Sequence, residues 1–345
     1  MRCAALLLAA VIASAMASAQ AEPAPRVLSE AAVVTPKALG AAMLAVTRAG
    51  TRLVAVGERG TVLLSDDGGA AWRQAAVPVQ TSLTAVRFVD ARTGWAVGHL
   101  GVILRTDDAG EHWVKQLDGV LAAQRIADAA RGGDERLQRL AARFVEEGPD
   151  KPFFDLDFAD AQHGVAVGAY GLAFETRDGG RQWTSLVERL PNPKSLHLYA
   201  VRCVGASIFV AGEQGLLLKS ADDGASFAAL ASPYKGSWFG LLASRSGALL
   251  AYGLRGRVFR SADGGASWQA IDSGLAASIG AGVELGAGTL ALLGQTGDVL
   301  VSRDDGLAFK KQPATAPLPA TGLAATSDGR VILSSLRGLR QETLK

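Results

Sequence analysis

The sequence predicts an all-β fold: a seven-bladed β-propeller with Asp-box repeats, an N-terminal strand that closes the last blade, and one helical insertion. An eight-residue pattern recurs six times in 345 residues, and each copy keeps a hydroxyl residue, an Asp, a Gly and an aromatic residue at fixed spacing. Successive copies begin 41, 70, 44, 41 and 41 residues apart. A period of about 40 to 45 residues is typical of a propeller blade. A partial seventh unit follows the sixth copy, so we expect seven blades.

The residue types of the repeat suit a tight turn. Ser, Thr and Asp side chains accept hydrogen bonds from nearby backbone N–H groups, and Gly adopts a positive φ without strain. The copies are Ser65–Trp72, Thr106–Trp113, Thr176–Trp183, Ser220–Phe227, Ser261–Trp268 and Ser302–Phe309. The pattern is that of the Asp-box, which in the families that carry it is a folding element and takes no part in chemistry. We therefore expect a structural role for its acids, which are Asp67, Asp108, Asp178, Asp222, Asp263 and Asp304.

The first 21 residues resemble a secretory signal peptide, with one early charge, a short apolar run and small residues at the end. We expect residues 22–345 to form the propeller domain and the protein to be exported to the periplasm or the cell exterior. No later stretch approaches the length of a membrane-spanning helix, so no direct membrane span is expected after signal removal. The formal net charge of +2 gives no basic field for nucleic acid.

Each unit contains four short apolar segments in the order expected for a four-stranded meander. In the first unit these are 41–46, 52–56 and 61–64, followed by the Asp-box and an outer strand from Trp72. A Gly-x-x-Gly hairpin separates the second and third segments. The last unit ends at Lys345 one strand short. Residues 26–34 are predicted to supply the missing strand and so to remove two exposed sheet edges.

The 70-residue step contains an insertion at about residues 118–152 that has a helical pattern. Leu137, Leu140, Ala141, Phe144 and Val145 recur at the spacing of one helix face. Asp134 is a suitable N-cap for this second helix, and Gly132 and Gly133 separate it from a first one. The insertion lies in the connection between the last strand of one blade and the first strand of the next. In a meander blade, this connection and the Gly-x-x-Gly hairpins emerge at one end, opposite the Asp-boxes. That end is therefore the candidate working surface.

The exposed positions of the hairpins supply the candidate partner-binding residues. These are Arg59, His99, Tyr170, Arg255 and Arg337. Arg and Tyr are the residue types that anchor protein interfaces. Two alternatives stay open: the hairpin tips are ordinary solvated turns, and the insertion only caps the mouth of the channel.

The segment from Gly94 to Trp113 resembles the repeat of the photosystem II stability/assembly factor family, with Gly94-Trp95-Ala96-Val97-Gly98, Gly101, Ile103, Thr106, Asp108 and Gly110 in matching positions. Six full units and one partial unit fit, so the resemblance covers nearly the whole mature chain. It implies an exported seven-bladed propeller that acts as a non-enzymatic assembly or stability factor. We expect no cofactor. It also implies that an arginine-bearing surface binds a protein partner, expected to be a membrane or envelope complex.

The main alternative is a glycoside hydrolase, either sialidase-like or of the carboxylate-pair type. Asp155 and Asp157 share one face of a strand and are spaced suitably for a catalytic pair. Arg87, Asp157 and Arg202 occupy the same position in three neighbouring repeats, so we expect these charges to line the channel and to balance one another. The four histidines lie in separate repeats without ligand spacing, and no metal site or catalytic residue is predicted.

Overall fold

The computed structural model describes residues 24–286, 288–313 and 316–344. In this part of the chain the strands form seven antiparallel sheets, which are the seven predicted blades. The predicted signal peptide, residues 1–21, lies outside the described residues. None of the helices in the described ranges is long and apolar enough to span a membrane.

The strands follow the chain in order around the ring. Blade 1 contains β1 (Met43–Ala49), β2 (Arg52–Gly57), β3 (Val62–Ser65) and β4 (Arg73–Gln74). Blade 2 contains β5 (Leu83–Phe88), β6 (Gly94–Gly98), β7 (Ile103–Thr106) and β8 (Val114–Leu117), and it is followed by helices α1 (Gly119–Ala129) and α2 (Glu135–Glu146). Blade 3 contains β9 (Phe153–Phe158), β10 (Gly164–Gly168), β11 (Ala173–Thr176) and β12 (Thr184–Ser185). Blade 4 contains β13 (Leu198–Val204), β14 (Ser207–Gly212), β15 (Leu217–Ser220) and β16 (Ala228–Ala229).

The second half of the ring repeats the same order. Blade 5 contains β17 (Trp238–Ala243), β18 (Leu249–Gly253), β19 (Val258–Ser261) and β20 (Gln269–Ile271). Blade 6 contains β21 (Ile279–Gly286), β22 (Thr289–Gly294), β23 (Val299–Ser302) and β24 (Lys310–Lys311). Blade 7 contains β25 (Ala320–Ala325), β26 (Arg330–Ser335) and β27 (Gly338–Thr343).

The core is divided among the interfaces between blades. The second strands, such as β2 and β22, are buried apolar runs because each blade is covered on both faces. A separate apolar cluster fills each junction between neighbouring blades. The first strand of each blade packs beside the first strands of both neighbours, and β1 packs beside β25. These first strands therefore line the central channel.

The predicted N-terminal closing strand is wrong, although the ring is closed. Blade 7 has three strands, and the N-terminal segment forms two short 3-10 helices, Arg26–Leu28 and Pro36–Gly40. Proline has no N–H to donate to a sheet, and Pro25 and Pro36 begin both turns. The segment instead follows the connection after blade 1, where the N–H of Ala32 donates to Val77 O at 2.9 Å.

Closure depends on face-to-face packing of blades 7 and 1. Met43 and Leu53 of blade 1 share one apolar cluster with Ala324 and Ile332 of blade 7. The hydroxyl of Thr321 donates to Met43 O at 2.7 Å across the same junction. Burial of these two faces therefore closes the ring without a shared strand.

The predicted helical insertion is confirmed, and it packs on blades 2 and 3. Asp134 caps α2 by accepting a hydrogen bond from the N–H of Leu137 at 2.7 Å. Ile126 of α1 and Phe144 of α2 join the apolar cluster between the two blades. Val145 does not follow the predicted face and is 55% exposed.

Two ends of the ring differ in what they carry. The hairpin face is the end with the hairpins 57–60, 98–101, 168–171, 212–215, 253–256, 294–297 and 335–338, together with the insertion. Helix α1 contacts the His99–Gly101 turn, as the meander topology predicts. The Asp-box face is the opposite end and carries the six box turns.

Candidate functional site

The hairpin tips of blades 1 to 5 share an unusual backbone conformation. Arg59, Tyr170 and Arg255 have φ values of 52°, 55° and 59°, in the left-handed region that most side chains avoid. The N–H at the preceding position secures each tip, as when the N–H of Glu58 donates to Ala42 O at 2.9 Å. Arg337 belongs to the blade 7 turn and does not have a positive φ. The five predicted partner-binding side chains, Arg59, His99, Tyr170, Arg255 and Arg337, are all exposed on the hairpin face.

Three of these side chains are arginines for which the described part of the chain provides no acidic partner. Among the described residues, Arg59, Arg255 and Arg337 form no ion pair or side-chain hydrogen bond. Two acids of the same face are already engaged: Glu58 accepts from the N–H of Ala42 at 3.0 Å, and Glu213 accepts from the N–H of His197 at 2.9 Å. The arginines are thus available to an external partner.

Tyr170 joins the helical insertion to the hairpin face. The guanidinium of Arg143 on α2 lies 5.2 Å from the centre of the Tyr170 ring, and the ammonium of Lys151 lies 5.9 Å from it. Such cation–π contacts contribute roughly 0.5–1 kcal/mol at exposed sites. Among the described residues, no direct contact links Tyr170 to the three hairpin arginines. The structure therefore places the five predicted residues on one face but does not gather them into one cluster.

Tyr170 also begins a chain of five rings that the sequence analysis did not identify. We call Tyr170, His197, Phe154, Tyr199 and Phe239 the aromatic cluster. The ring centres of Tyr170 and His197 are 4.6 Å apart, those of Phe154 and Tyr199 are 5.3 Å apart, and those of Tyr199 and Phe239 are 5.5 Å apart. These distances are typical of interacting aromatic pairs. The cluster extends from the insertion to the central channel.

A β-bulge positions the channel end of this cluster. The pairing of every first strand with the second strand shifts at its second residue, and bulges redirect a side chain. The bulged residues are Leu44, Thr84, Phe154, Tyr199, Phe239, Gly280 and Thr321, and all seven line the channel. Three consecutive blades thus supply aromatic rings. Alignment of the units at this position is the sequence signal that could have revealed them.

The predicted charged group lies deeper in the channel and is internally paired. Asp155 accepts from Arg202 Nη1 at 2.6 Å and from the N–H of Val201 at 3.2 Å. Asp157 accepts from the N–H of Cys203 at 2.9 Å, and its other oxygen lies 3.8 Å from Nε of Arg87. Burial alone would lower the pKa of Arg202, but the charges of Asp155 and Asp157 raise it above its ordinary value. The expected balance of charges is therefore present.

The channel narrows to a cavity of about 190 Å³. Its walls include the bulged residues at the mouth and Arg87, Asp155, Arg202 and Tyr252 further in. Tyr252 is buried, and this burial raises the pKa of its phenol to about 12. The phenol is consequently neutral at physiological pH.

On the Asp-box face, the box carboxylates form the same local hydrogen bonds in each turn. In blade 5, Asp263 accepts from the hydroxyl of Ser261 at 2.7 Å and from the N–H of Ser267 at 2.9 Å, and Ser261 Oγ accepts from the N–H of Gly265 at 2.8 Å. The carboxylates of the other boxes, Asp67, Asp108, Asp178, Asp222 and Asp304, accept the corresponding bonds. No group of three or more His, Cys, Asp or Glu side chains suited to a metal ion occurs within the described ranges.

Comparison with known proteins gives the family. The model of the family described as photosynthesis system II assembly factor YCF48 matches residues 34–126 and 138–285. This chain belongs to that family. The gap in the match falls within the helical insertion and covers the end of α1, the connection and the start of α2.

Individual relatives agree with this membership. The photosystem II assembly lipoprotein Ycf48 of Synechococcus sp. (strain CC9902) is 36% identical over 70 residues, which cover 20% of this chain and 21% of that protein. A solved structure of YCF48 bound to D1 peptide is similar over 92% of this chain and 96% of its own, with 16% identity and a TM-score of 0.64. The GH74 xyloglucanase from Xanthomonas campestris is similar over 90% of this chain and 53% of its own, with 14% identity and a TM-score of 0.62. At these identities the structural similarities show the fold alone.

Within the YCF48 family fold, this chain arranges its hairpin face asymmetrically. Blades 5, 7 and 1 present the arginines, whereas blades 3 to 5 present the aromatic cluster beside the insertion. An arginine-bearing face is what the family resemblance implied. The aromatic half of that face is a finding of the structure.

Proposed function

We propose that this protein is a non-enzymatic, exported assembly or stability factor that binds a protein partner, a membrane or envelope complex, through the hairpin face and the helical insertion. One observation carries the proposal. The elements that break the sevenfold repeat lie on a single face. They are the insertion, the aromatic cluster, and Arg59, Arg255 and Arg337, which have no ion-pair partner in the described ranges. Membership of the YCF48 family and the peptide-bound YCF48 structure support a protein as the partner.

The chemistry of the acids supports a non-enzymatic role. The six box carboxylates are acceptors within their own turns, and a structural role for them accounts for the repeat. Asp155 and Asp157 are the candidate catalytic pair of the alternative hydrolase, yet both accept hydrogen bonds from the backbone of the neighbouring β13 strand. A catalytic acid or nucleophile must be free to reach the glycosidic bond. The similarity to a xyloglucanase concerns the fold and does not favour this alternative.

Export remains part of the proposal. The relative from Synechococcus is named a lipoprotein, which is consistent with export. The expected signal peptide and the location in the periplasm or outside the cell can be tested by fractionation of cells that express the full chain.

The central test changes Arg59, Arg255 and Arg337 together to Glu and measures co-purification of membrane proteins from solubilised envelope. We expect loss of the specific partner because reversed charge opposes an acidic surface, with a thermal unfolding midpoint close to that of the parent. The control changes Arg48, Arg181 and Arg245, which are exposed arginines of the Asp-box face, to Glu, and it also removes the local contacts of Arg48 with Gly50 O and of Arg245 with Glu284. The proposed binding face would be contradicted if the first variant still captured the partner, or if the control lost the partner to the same extent. Turnover of a panel of glycosides would contradict the non-enzymatic role.

A further inference from the structure

The mouth of the channel on the hairpin face is a recess with one aromatic side. Phe154, Tyr199 and Phe239 line it on three consecutive blades, and all three rings are half-buried. At the same bulge position, three of the other four blades present the small residues Gly280, Thr321 and Thr84, and blade 1 presents Leu44. The small residues leave space in front of the rings, so the recess has an apolar wall and an open side.

The size of the cavity limits what can enter it. Pockets that enclose small molecules typically measure roughly 300–1,000 Å³. The cavity here is about 190 Å³, which suits one large side chain better than a chain of sugar units. Protein interfaces obtain much of their affinity from single aromatic or apolar side chains that are buried in such recesses.

The charges around the recess favour an acidic segment. Arg255 lies at the hairpin tip of blade 5, the blade that also carries Phe239, and Arg337 and Arg59 follow on blades 7 and 1. Arg143 and Lys151 flank Tyr170 at the other end of the aromatic cluster, but their charges are paired with Glu147 and Asp150 and add little to the rim. In the channel, Arg87 is only loosely paired, because Asp157 is 3.8 Å away and accepts its closer hydrogen bond from Cys203 N–H.

Four carboxylates of this face are engaged. Glu58 and Glu213 accept backbone hydrogen bonds, Asp155 is paired with Arg202, and Glu147 is paired with Arg143 at 2.6 Å. Arg59, Arg255 and Arg337 have no such partner among the described residues, so an acidic ligand is complementary to the rim.

We propose that the channel mouth is an anchor site for one aromatic side chain of an extended acidic segment of the partner protein, packed against Tyr199 and Phe239. The ring of the partner packs against the aromatic wall, and acidic residues on either side of it meet the rim arginines. This inference rests on the proposed function and specifies the chemistry of the partner.

The test uses a fluorescein-labelled peptide of alternating Asp, Glu and Ser with one central Phe, acetylated and amidated so that no terminal charge contributes. Fluorescence anisotropy is measured with the full mature chain at low and at physiological salt. We expect at least tenfold weaker binding when the central Phe is replaced by Ala, and also when the acidic residues are replaced by Lys. Equal affinity for the Phe and Ala peptides would overturn the anchor, and preference for the Lys peptide would overturn the acidic partner.

Two protein variants locate the binding. Tyr199→Ala with Phe239→Ala should weaken the Phe peptide about tenfold while the Ala peptide is unaffected. The control is Phe227→Ala, which removes a half-buried ring of the Asp-box face and should change the affinity for neither peptide. If the double variant lost affinity for both peptides to the same degree, the assignment of the anchor site to Tyr199 and Phe239 would be wrong.

A third variant blocks the recess without removing a ring. A Cβ added at Gly280 meets only the Cγ of Gln295 at 3.9 Å, so Gly280→Leu is tolerated by the backbone and places a side chain in the recess. We expect this variant to bind the Phe peptide and the Ala peptide with equal affinity. An unchanged preference would overturn the site even if the double variant failed to fold. Because the arginine variant is tested on partner capture, the proposed function can stand when the peptide preference fails.

Discussion

Nε of Arg260 donates a hydrogen bond to the backbone oxygen of Asp305 at 2.8 Å, across the junction between blades 5 and 6. Asp305 directly follows the box residue Asp304 and has a positive φ of 59°. The same position of every other box turn accepts from the preceding blade. The pairs are Gln341 with Gly68, Arg52 with Ala109, Arg105 with Gly179, Arg177 with Asp223 and Lys219 with Gly264. The box turn thus shapes its own blade and presents an acceptor to the preceding blade.

Arg260 should therefore contribute to the stability of the ring. Its side chain is 14% exposed and also pairs with the carboxylate of Asp305 at 2.7 Å. We expect Arg260→Met to lower the free energy of unfolding by about 2 kcal/mol, because the carbonyl of Asp305 loses its donor and the partly buried carboxylate keeps the hydroxyl of Ser246 but loses its cationic partner. Urea denaturation measures the change. Arg139→Met, in an exposed pair of α2, is the control and should change stability by less than about 0.5 kcal/mol.

In the box of blade 5, the hydroxyl that opens the turn should contribute more to stability than the one near its end. Ser261 is buried and bonds both Asp263 and the N–H of Gly265, whereas Ser267 is exposed and bonds Asp263 alone. We expect Ser261→Ala to destabilise by about 1–2 kcal/mol, since a buried N–H loses its acceptor. Ser267→Ala should cost less than about 0.5 kcal/mol. Equal effects in thermal unfolding would contradict the proposed role of the turn.

The box carboxylates should make stability depend on acid. The hydroxyl and the N–H of Ser226 lower the pKa of Asp222 from an ordinary value near 3.8 to about 2. A folded-state pKa below that of the unfolded chain gives stability that is present above the unfolded value and is lost as pH falls through the folded one. We therefore expect the thermal unfolding midpoint to decrease as the pH is lowered from about 4 to about 2. Asp222→Asn should reduce that dependence in scans from pH 2 to pH 6, and an unchanged slope would contradict the assignment.

The two arginines of the channel, Arg202 and Arg87, should differ in how much they contribute to the free energy of unfolding. The side chain of Arg202 is 12% exposed and lies 2.6 Å from Asp155, whereas that of Arg87 is 34% exposed and lies 3.8 Å from Asp157. We expect Arg202→Met to cost about 3 kcal/mol, because it leaves a buried carboxylate unpaired. Arg87→Met should cost about 1 kcal/mol or less.

A double variant separates charge from packing in this pair. Adding Asp155→Leu to Arg202→Met should recover part of the loss, because it removes the unpaired charge. Urea midpoints of the four proteins measure the coupling. A double variant that is less stable than Arg202→Met alone would show that the carboxylate is needed mainly for its hydrogen bond to the N–H of Val201.

The sequence by itself determined the number of blades, the box turns, the two helices and the assignment of hairpins and insertion to one face. These features depend on residues close in the chain: the hydroxyl, Asp and Gly of a box lie within four positions, and the cap at Asp134 acts on Leu137. The meander order then assigns each turn to an end of the ring. The channel column of Arg87, Asp157 and Arg202 was also predictable, since equivalent positions of repeats must meet.

Only the tertiary structure decided how the ring closes and what lies at its mouth. Closure by packing of blade 7 on blade 1 joins residues nearly 280 positions apart, such as Thr321 and Met43, and two proline-led turns prevent the expected strand. The aromatic cluster depends on a bulge in each first strand, which turns Phe154, Tyr199 and Phe239 towards the channel. A bulge shifts the register by one residue, so simple alternation along a strand assigns these side chains incorrectly. Contacts between blades require the closed ring, which no single repeat encodes.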